Sequence, residues 1–163
     1  MDVALEPVRY EDKAVLSRML QLYLYDFSEF EPLELDEHGE FGYRYLDHYW
    51  APDAGEERHA FFILTGGRRA GFALVRVVNG VNVFAEFFVM RRYRRSGVGA
   101  TAAEAVFTRL PGAWLVHQVP GNLPAQAFWR RVTARVAVGP VAEQVDDSGV
   151  TQRFTVGAGD VPQ

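Results

Sequence analysis

Hydrophobic residues alternate in some stretches of this chain and recur at helical spacing in others, and the switches between the two periods mark out its elements. Val3 and Leu5 occupy alternate positions in residues 3–8, which predicts a short opening strand. Leu16, Leu20, Tyr23 and Phe27 then recur every three or four positions, so residues 12–27 read as an amphipathic helix. Glu11 and Asp12 stand where the helix dipole favours negative charge. After Pro32, residues 36–50 read as a second, weaker helix rich in tyrosine, histidine and acids, ended by a loop at Pro52, Asp53 and Gly55.

The period then falls to two. Residues 58–65, 70–78 and 81–90 read as strands joined at Gly66-Gly67 and Asn79-Gly80, both typical of two-residue hairpin turns. Alternation in the third strand puts Val81, Val83, Ala85, Phe87 and Val89 on one face and Asn82, Phe84, Glu86 and Phe88 on the other. A helix follows from Val98, with Ala102, Ala105, Val106 and Arg109 on one stripe, and Pro111-Gly112 stops it. Residues 113–119 read as a strand, and Asn122 as the cap of a helix over 123–132. Residues 135–141 and 149–156 read as a final antiparallel pair joined by an acidic turn at 143–148. This order predicts an α+β fold, a mostly antiparallel sheet flanked by helices, with residues 1–157 forming one domain and 158–163 a flexible tail.

Composition narrows the chemistry. No cysteine occurs among the 163 residues, which excludes a disulfide scaffold, a zinc–thiolate site and a cysteine nucleophile. No apolar run is long enough to cross a membrane, and the amino terminus has neither the basic start nor the apolar stretch of a signal peptide, so the expectation is a cytoplasmic protein. The four histidines are scattered without ligand spacing, so no metal is expected. The net charge of −4 conceals a division. Residues 1–57 hold fifteen acids against four bases, a balance of −11, and residues 58–163 hold six acids against thirteen bases, a balance of +7. One half favours a cationic partner and the other an anionic one.

The basic half concentrates its charge in one place. Residues 87–100 run from a strand through Arg91, Arg92, Arg94 and Arg95 into a helix that opens with Gly97 and Gly99. Free N–H groups at a helix start and the positive end of its dipole make an anion site, and glycine lets the backbone approach a phosphate. No lysine follows the glycines, so this is not a Walker A loop, and the strand comes out of a hairpin meander rather than opening a parallel sheet, unlike a dinucleotide fingerprint. The basic run is short and the isoelectric point is about 5.6, which argues against a nucleic-acid partner.

Arg94-x-x-Gly97-x-Gly99 resembles the Arg/Gln-x-x-Gly-x-Gly/Ala signature of the GNAT superfamily of acyl-CoA-dependent N-acyltransferases. Val89 falls where that family has a hydrophobic strand-end residue, and the run Asn122 to Trp129 is similar to its Asn-x-x-Ala-x-x-Phe/Leu-Tyr/Trp block. The resemblance implies an acyl-CoA N-acyltransferase fold and acetyl-CoA as co-substrate. By carry-over, Phe88 and Val89 would offer backbone groups to the pantetheine arm. The backbone of Arg94, Arg95, Ser96, Gly97, Val98, Gly99 and Ala100 would cradle the pyrophosphate, and Asn122 would contact the pantetheine or its thiol end. Trp129 stands where many members have a tyrosine that protonates the leaving thiolate; an indole has no proton of suitable acidity, so the general acid is left open.

For the base, Glu86 is the only acid between Arg58 and Arg95, and it lies on the motif strand. A carboxylate in partly apolar surroundings titrates high enough to take a proton from an ammonium, whereas one paired with Arg76 would be structural. His117 is a weaker candidate, as a histidine packed on a strand. The family's acceptor pocket lies between the first two helices and the last hairpin, where Tyr25, Asp26 and Glu29 suit a cationic amine. The expected activity is therefore acetyl transfer from acetyl-CoA to a small cationic amine by direct attack in a ternary complex. The alternative is a non-catalytic coenzyme A-binding or sensing module on the same fold. Exposed sheet edges also leave room for a homodimer.

Overall fold

Two tight turns set the frame. Gly66 and Gly67 have φ of 55° and 72°, and Asn79 and Gly80 have 50° and 78°, the left-handed pair of values whose twist matches that of the flanking strands. They join β2 (Glu57–Thr65), β3 (Arg68–Val78) and β4 (Val81–Val89) into an antiparallel meander. The computed structural model describes residues 1–51 and 55–159. Around the meander stand β1 (Val3–Pro7), β5 (Gly112–Gln118), β6 (Ala142–Asp146) and β7 (Gly149–Val156). Together they form a seven-stranded sheet in the order β1-β2-β3-β4-β5-β7-β6.

Every pairing is antiparallel except that of β4 with β5, which is parallel and confined to Asn82↔Trp114 and Val83↔Leu115. Past Val83 the two strands part, and the sheet opens into a wedge.

Two apolar layers hold the sheet from either side. Helix α1 (Lys13–Phe27) buries Leu16 and Leu20 against Phe62, Phe72, Leu74 and Phe88. Helices α2 (Val98–Arg109) and α3 (Leu123–Val136) bury Val106, Phe107, Trp129 and Val132 against Ala73, Val75, Phe84 and Trp114 on the opposite face. Each such large apolar side chain contributes about 1.5–3 kcal/mol on leaving water.

The structure departs from the sequence expectations in three places. Residues 36–50 form no α-helix; only Leu46–Tyr49 makes a short 3-10 turn. Gly39 has φ of 74°, and the Asp36 carboxylate accepts the N–H groups of His38 and Glu40 at 2.8 and 3.0 Å, which satisfies the backbone locally instead of in a helix. Residues 135–141 do not form the penultimate strand: α3 runs on to Val136, and Ala137 makes only an isolated bridge to Val156. The partner of β7 is β6, placed where the acidic turn was expected. All five β6 residues are exposed, so no apolar alternation announces the strand. In β4, Leu74 faces Glu86 while the next residue, Val75, faces Phe84, leaving Ala85 as an extra residue in a β-bulge. The expected end of the second helix at Pro52 and Asp53, and all of the tail beyond Gly159, lie outside the described residues.

Candidate functional site

The bulge changes what β4 presents. Phe84 turns to the α2–α3 side, its ring centroid 4.9 Å from that of Trp114 and 5.0 Å from that of Trp129. Glu86 and Phe88 stay on the α1 side. Beyond the bulge the strand is again regular, and Met90 N–H donates to Ala70 O at 2.7 Å. In an antiparallel pair the hydrogen-bonded positions alternate, so Phe88 and Glu86 give their backbone groups to β3 while those of Phe87 and Val89 face the wedge. Gly71 reports the same geometry: a Cβ there would stand 1.9 Å from the Phe88 carbonyl oxygen. The expectation that Phe88 offers its backbone groups to a ligand does not fit this pairing, which turns those of Phe87 and Val89 outward instead.

At the end of β4 the chain makes a short 3-10 turn, Arg91–Tyr93, and then starts α2. Gly97 is the cap of α2 with φ of 86°, a conformation suited to glycine, and no side chain caps the helix. The first N–H groups of α2, from Val98 to Ala100, therefore point out unpaired at the positive end of the dipole. Arg95 also has positive φ, at 58°, and Ser96 Oγ donates to Tyr93 O at 2.5 Å, which together tighten the loop. Gly99 serves packing: a Cβ there would lie 3.3 Å from the Phe128 ring and 3.6 Å from Val89 Cγ2.

The four arginines divide into two pairs. Arg91 donates from Nε and Nη2 to Asp26 Oδ1 at 3.2 and 2.8 Å, and Arg94 pairs with Asp26 Oδ2. Arg94 Nε also donates to Val89 O at 2.7 Å, fastening the loop to the strand end. Burial pushes the Asp26 carboxyl up, but the hydrogen bonds from Arg94 and Arg91 outweigh it and hold the group below its ordinary value. Arg92 and Arg95 are exposed and join no ion pair among the described residues.

Across the wedge, α3 supplies an aromatic wall. Phe87 stacks on Phe128 at 5.9 Å and meets Trp129 edge-on at 5.2 Å, and Trp129 is 7% exposed. Asn122 caps α3 as expected, its Oδ1 accepting the Ala125 N–H at 3.2 Å. The cap uses the oxygen and leaves the amide N–H groups for another partner.

Glu86 sits among tyrosines. Burial pushes its carboxyl up to about 7, against partial opposition from the hydroxyls of Tyr23 and Tyr43. Tyr23 and Tyr43 are in turn pushed up, first by burial and then by the Glu86 charge. Arg76 is not its partner, since it donates to Glu56 from Nε and Nη2 at 2.9 Å each. A carboxyl that titrates near neutrality can hold or release a proton at working pH. His117 is fully engaged, with Nδ1 2.8 Å from Thr151 Oγ1 and Nε2 2.9 Å from Ser148 O. Of the acceptor candidates, Tyr25 and Glu29 lie on the exposed side of α1 and its following turn, and Asp26 is committed to the arginines. Tyr43 and Tyr49, missed as individual residues, reach the site from the irregular segment after α1; the tyrosine-rich composition of residues 36–50 was their only signal. Among the described residues, no group of three or more His, Asp or Glu side chains could hold a metal ion.

Comparisons with known proteins bear on the fold and the family. No curated protein matches in sequence. Among solved structures, an acetyltransferase from Thermus thermophilus is 16% identical with a TM-score of 0.66, over 94% of this chain and 96% of that one. An aminoglycoside acetyltransferase in complex with coenzyme A is 14% identical with a TM-score of 0.66, over 94% and 95%. The PaiA N-acetyltransferase of Thermoplasma acidophilum, also in complex with coenzyme A, is 10% identical with a TM-score of 0.61, over 95% and 99%. At these identities the likeness is one of fold. The model of the Acetyltransferase (GNAT) family matches residues 18–133, well over half of the sequence, and the chain belongs to that family.

Proposed function

We propose that this protein transfers the acetyl group of acetyl-CoA to a primary amine, with Glu86 as the base. The observation that carries the reading is a near-neutral carboxyl set beside an open wedge in the sheet, with an uncapped, arginine-flanked helix start at the wedge's end. That combination fits a long ligand with phosphates at one end and a reacting group at the other. The N–H groups of Val98, Gly99 and Ala100, with the loop Arg94, Arg95, Ser96 and Gly97, would hold the pyrophosphate. The outward backbone of Phe87 and Val89 would pair with the pantetheine arm, and the Asn122 amide would reach the thiol end. Bound there, acetyl-CoA supplies a thioester whose C–S bond breaks as the amine nitrogen forms the new C–N bond.

Glu86 takes one proton from the ammonium and returns it to solvent; the second proton released by the nitrogen balances the departing thiolate. Tyr23 and Tyr43 keep the carboxylate oriented by donating to it. The aromatic wall of Phe87, Phe128 and Trp129 excludes water from the reacting end. Trp129 gives no proton, so the thiolate leaves without an indole's help or is met by water. Holding both reactants in line supplies most of the rate. The same reading carries the expectations of a cytoplasmic protein, a small-molecule amine as partner and a homodimer joined at a sheet edge. Amine-dependent thiol release from acetyl-CoA tests the transfer. A melting shift with acetyl-CoA but no release with any amine would favour the sensing module instead.

A further inference from the structure

Next to Glu86 the α1 side of the sheet carries a group of buried donors that acetyl transfer does not use. Arg58 on β2 and Arg76 on β3 are register partners, and the Glu56 carboxylate lies between them. Arg76 takes both Glu56 oxygens at 2.9 Å, and Arg58 Nη2 reaches Oε2 at 3.1 Å, so the trio keeps a net charge of +1. The Arg58 side chain is only 7% exposed, and its Nε and Nη1 have no partner among the described residues. Buried His48 Nδ1 has no partner among the described residues either. A buried donor without an acceptor costs about 1–3 kcal/mol, and a charged one more. Unpaired donors on a trio with one excess positive charge are suited to accept an anion.

The place is open to a ligand. His48, Tyr49, Glu56, Glu57 and Arg58 line a cleft of about 770 Å³, with the exposed Glu57 carboxylate 2.9 Å from His59 Nε2 and the Tyr49 ring against the Arg58 guanidinium at 5.9 Å. Tyr43 stands between the cleft and the base, its hydroxyl pushed up first by burial and then by the Glu86 charge and Tyr49. Glu86 on β4 is level with Leu74 on β3 and Ala60 on β2, and Arg58 is two residues further along β2, so the two lie roughly 12 Å apart on the same face of the sheet.

We infer that the acceptor amine also carries a carboxylate several bonds from its nitrogen, and that Arg58, with Tyr49, binds that carboxylate while Glu86 receives the ammonium. The inference rests on the amine-acetylation reading and sharpens the expected small cationic amine into a zwitterionic one. A plain alkylamine would leave the Arg58 donors unpaired, so it would be discriminated against by the loss of a charge-assisted hydrogen bond.

The test compares 6-aminohexanoate with hexylamine, and their shorter and longer homologues, as acceptors for the wild-type protein. The expected result is a kcat/KM preference of about tenfold or more for the amino acid at the best length. In Arg58→Gln the preference falls to about one. Equal kcat/KM for the two series in the wild type would overturn the inference while leaving acetyl transfer intact. If no amine releases thiol, the acetylation reading fails separately, and hexanoate titrated against intrinsic fluorescence from Tyr49 and Trp50 decides the anion site. Saturable quenching lost in Arg58→Gln supports it; no quenching in the wild type overturns it. The wild-type comparisons need no variant, so a poorly folding Arg58→Gln does not blunt the test.

Discussion

At Glu86, the same burial that suits a base also costs stability, and the two can be measured apart. Its ordinary value is 4.5 and the folded value about 7, so between them the native state keeps a proton the unfolded state has lost. Stability therefore falls as pH rises through that window and is lowest above it, by roughly 3 kcal/mol. Glu86→Gln removes the titration. We expect the variant to match the wild type at about pH 5 and to melt higher than it at about pH 8. Parallel pH curves for the two proteins would refute the shift. Gly71 is the second residue with a sharp consequence. Its absent Cβ makes room for the Phe88 carbonyl, so Gly71→Ala must force β3 from β4 beside the site. A loss of roughly 3 kcal/mol by denaturant unfolding is expected, as for other overpacked buried positions. Glu86 was legible in the sequence because it is a lone acid on a strand. Its tyrosine surroundings were not, because Tyr43 and Tyr49 come from a segment with no regular period.

Among the elements, the meander and the two motif-bearing helices were readable because each has its own punctuation: Gly66-Gly67, Asn79-Gly80, Gly97 and Asn122. What failed to show were features set by pairing partners. The bulge at Ala85 depends on the register against β3, and without it the sequence puts Phe84 on Glu86's face. Strand β6 exists through its ladder to β7 and through Arg130 donating to Glu143 at 2.8 Å, with no apolar face of its own. The loop before α2 is an element-scale device as well: Asp26 on α1 fixes Arg91 and Arg94, leaving Arg92 and Arg95 exposed and outside any ion pair among the described residues. Asn122 separates its two roles cleanly. Asn122→Ala loses the cap and about 1 kcal/mol, whereas Asn122→Asp keeps the capping oxygen and loses the amide donor. Thermal unfolding should single out the alanine variant, while coenzyme A affinity should fall in both. Full affinity in Asn122→Asp would remove Asn122 from the cofactor site.

For the whole molecule, the proposed reaction would give each half of the charge division its own reactant. The basic segment gathers at the start of α2, and the acidic segment brings Tyr49 and Glu56 to the cleft proposed for the acceptor. Coenzyme A affinity should accordingly weaken severalfold as salt rises from roughly 0.05 to 0.5 M, since exposed arginines are screened over that range. Salt-independent affinity in calorimetry would mean that Arg92 and Arg95 do not meet the phosphates. The most direct test of the account is thiol release from acetyl-CoA with an amine acceptor, followed across pH for the wild type and Glu86→Gln. The account predicts amine-dependent release that rises through about pH 7 in the wild type. In the variant, release falls by about 100-fold or more while acetyl-CoA still raises the melting temperature. A variant with the wild-type rate and pH profile would contradict the assignment of the base. A wild type that neither releases thiol nor is stabilised by acetyl-CoA would contradict the reaction itself.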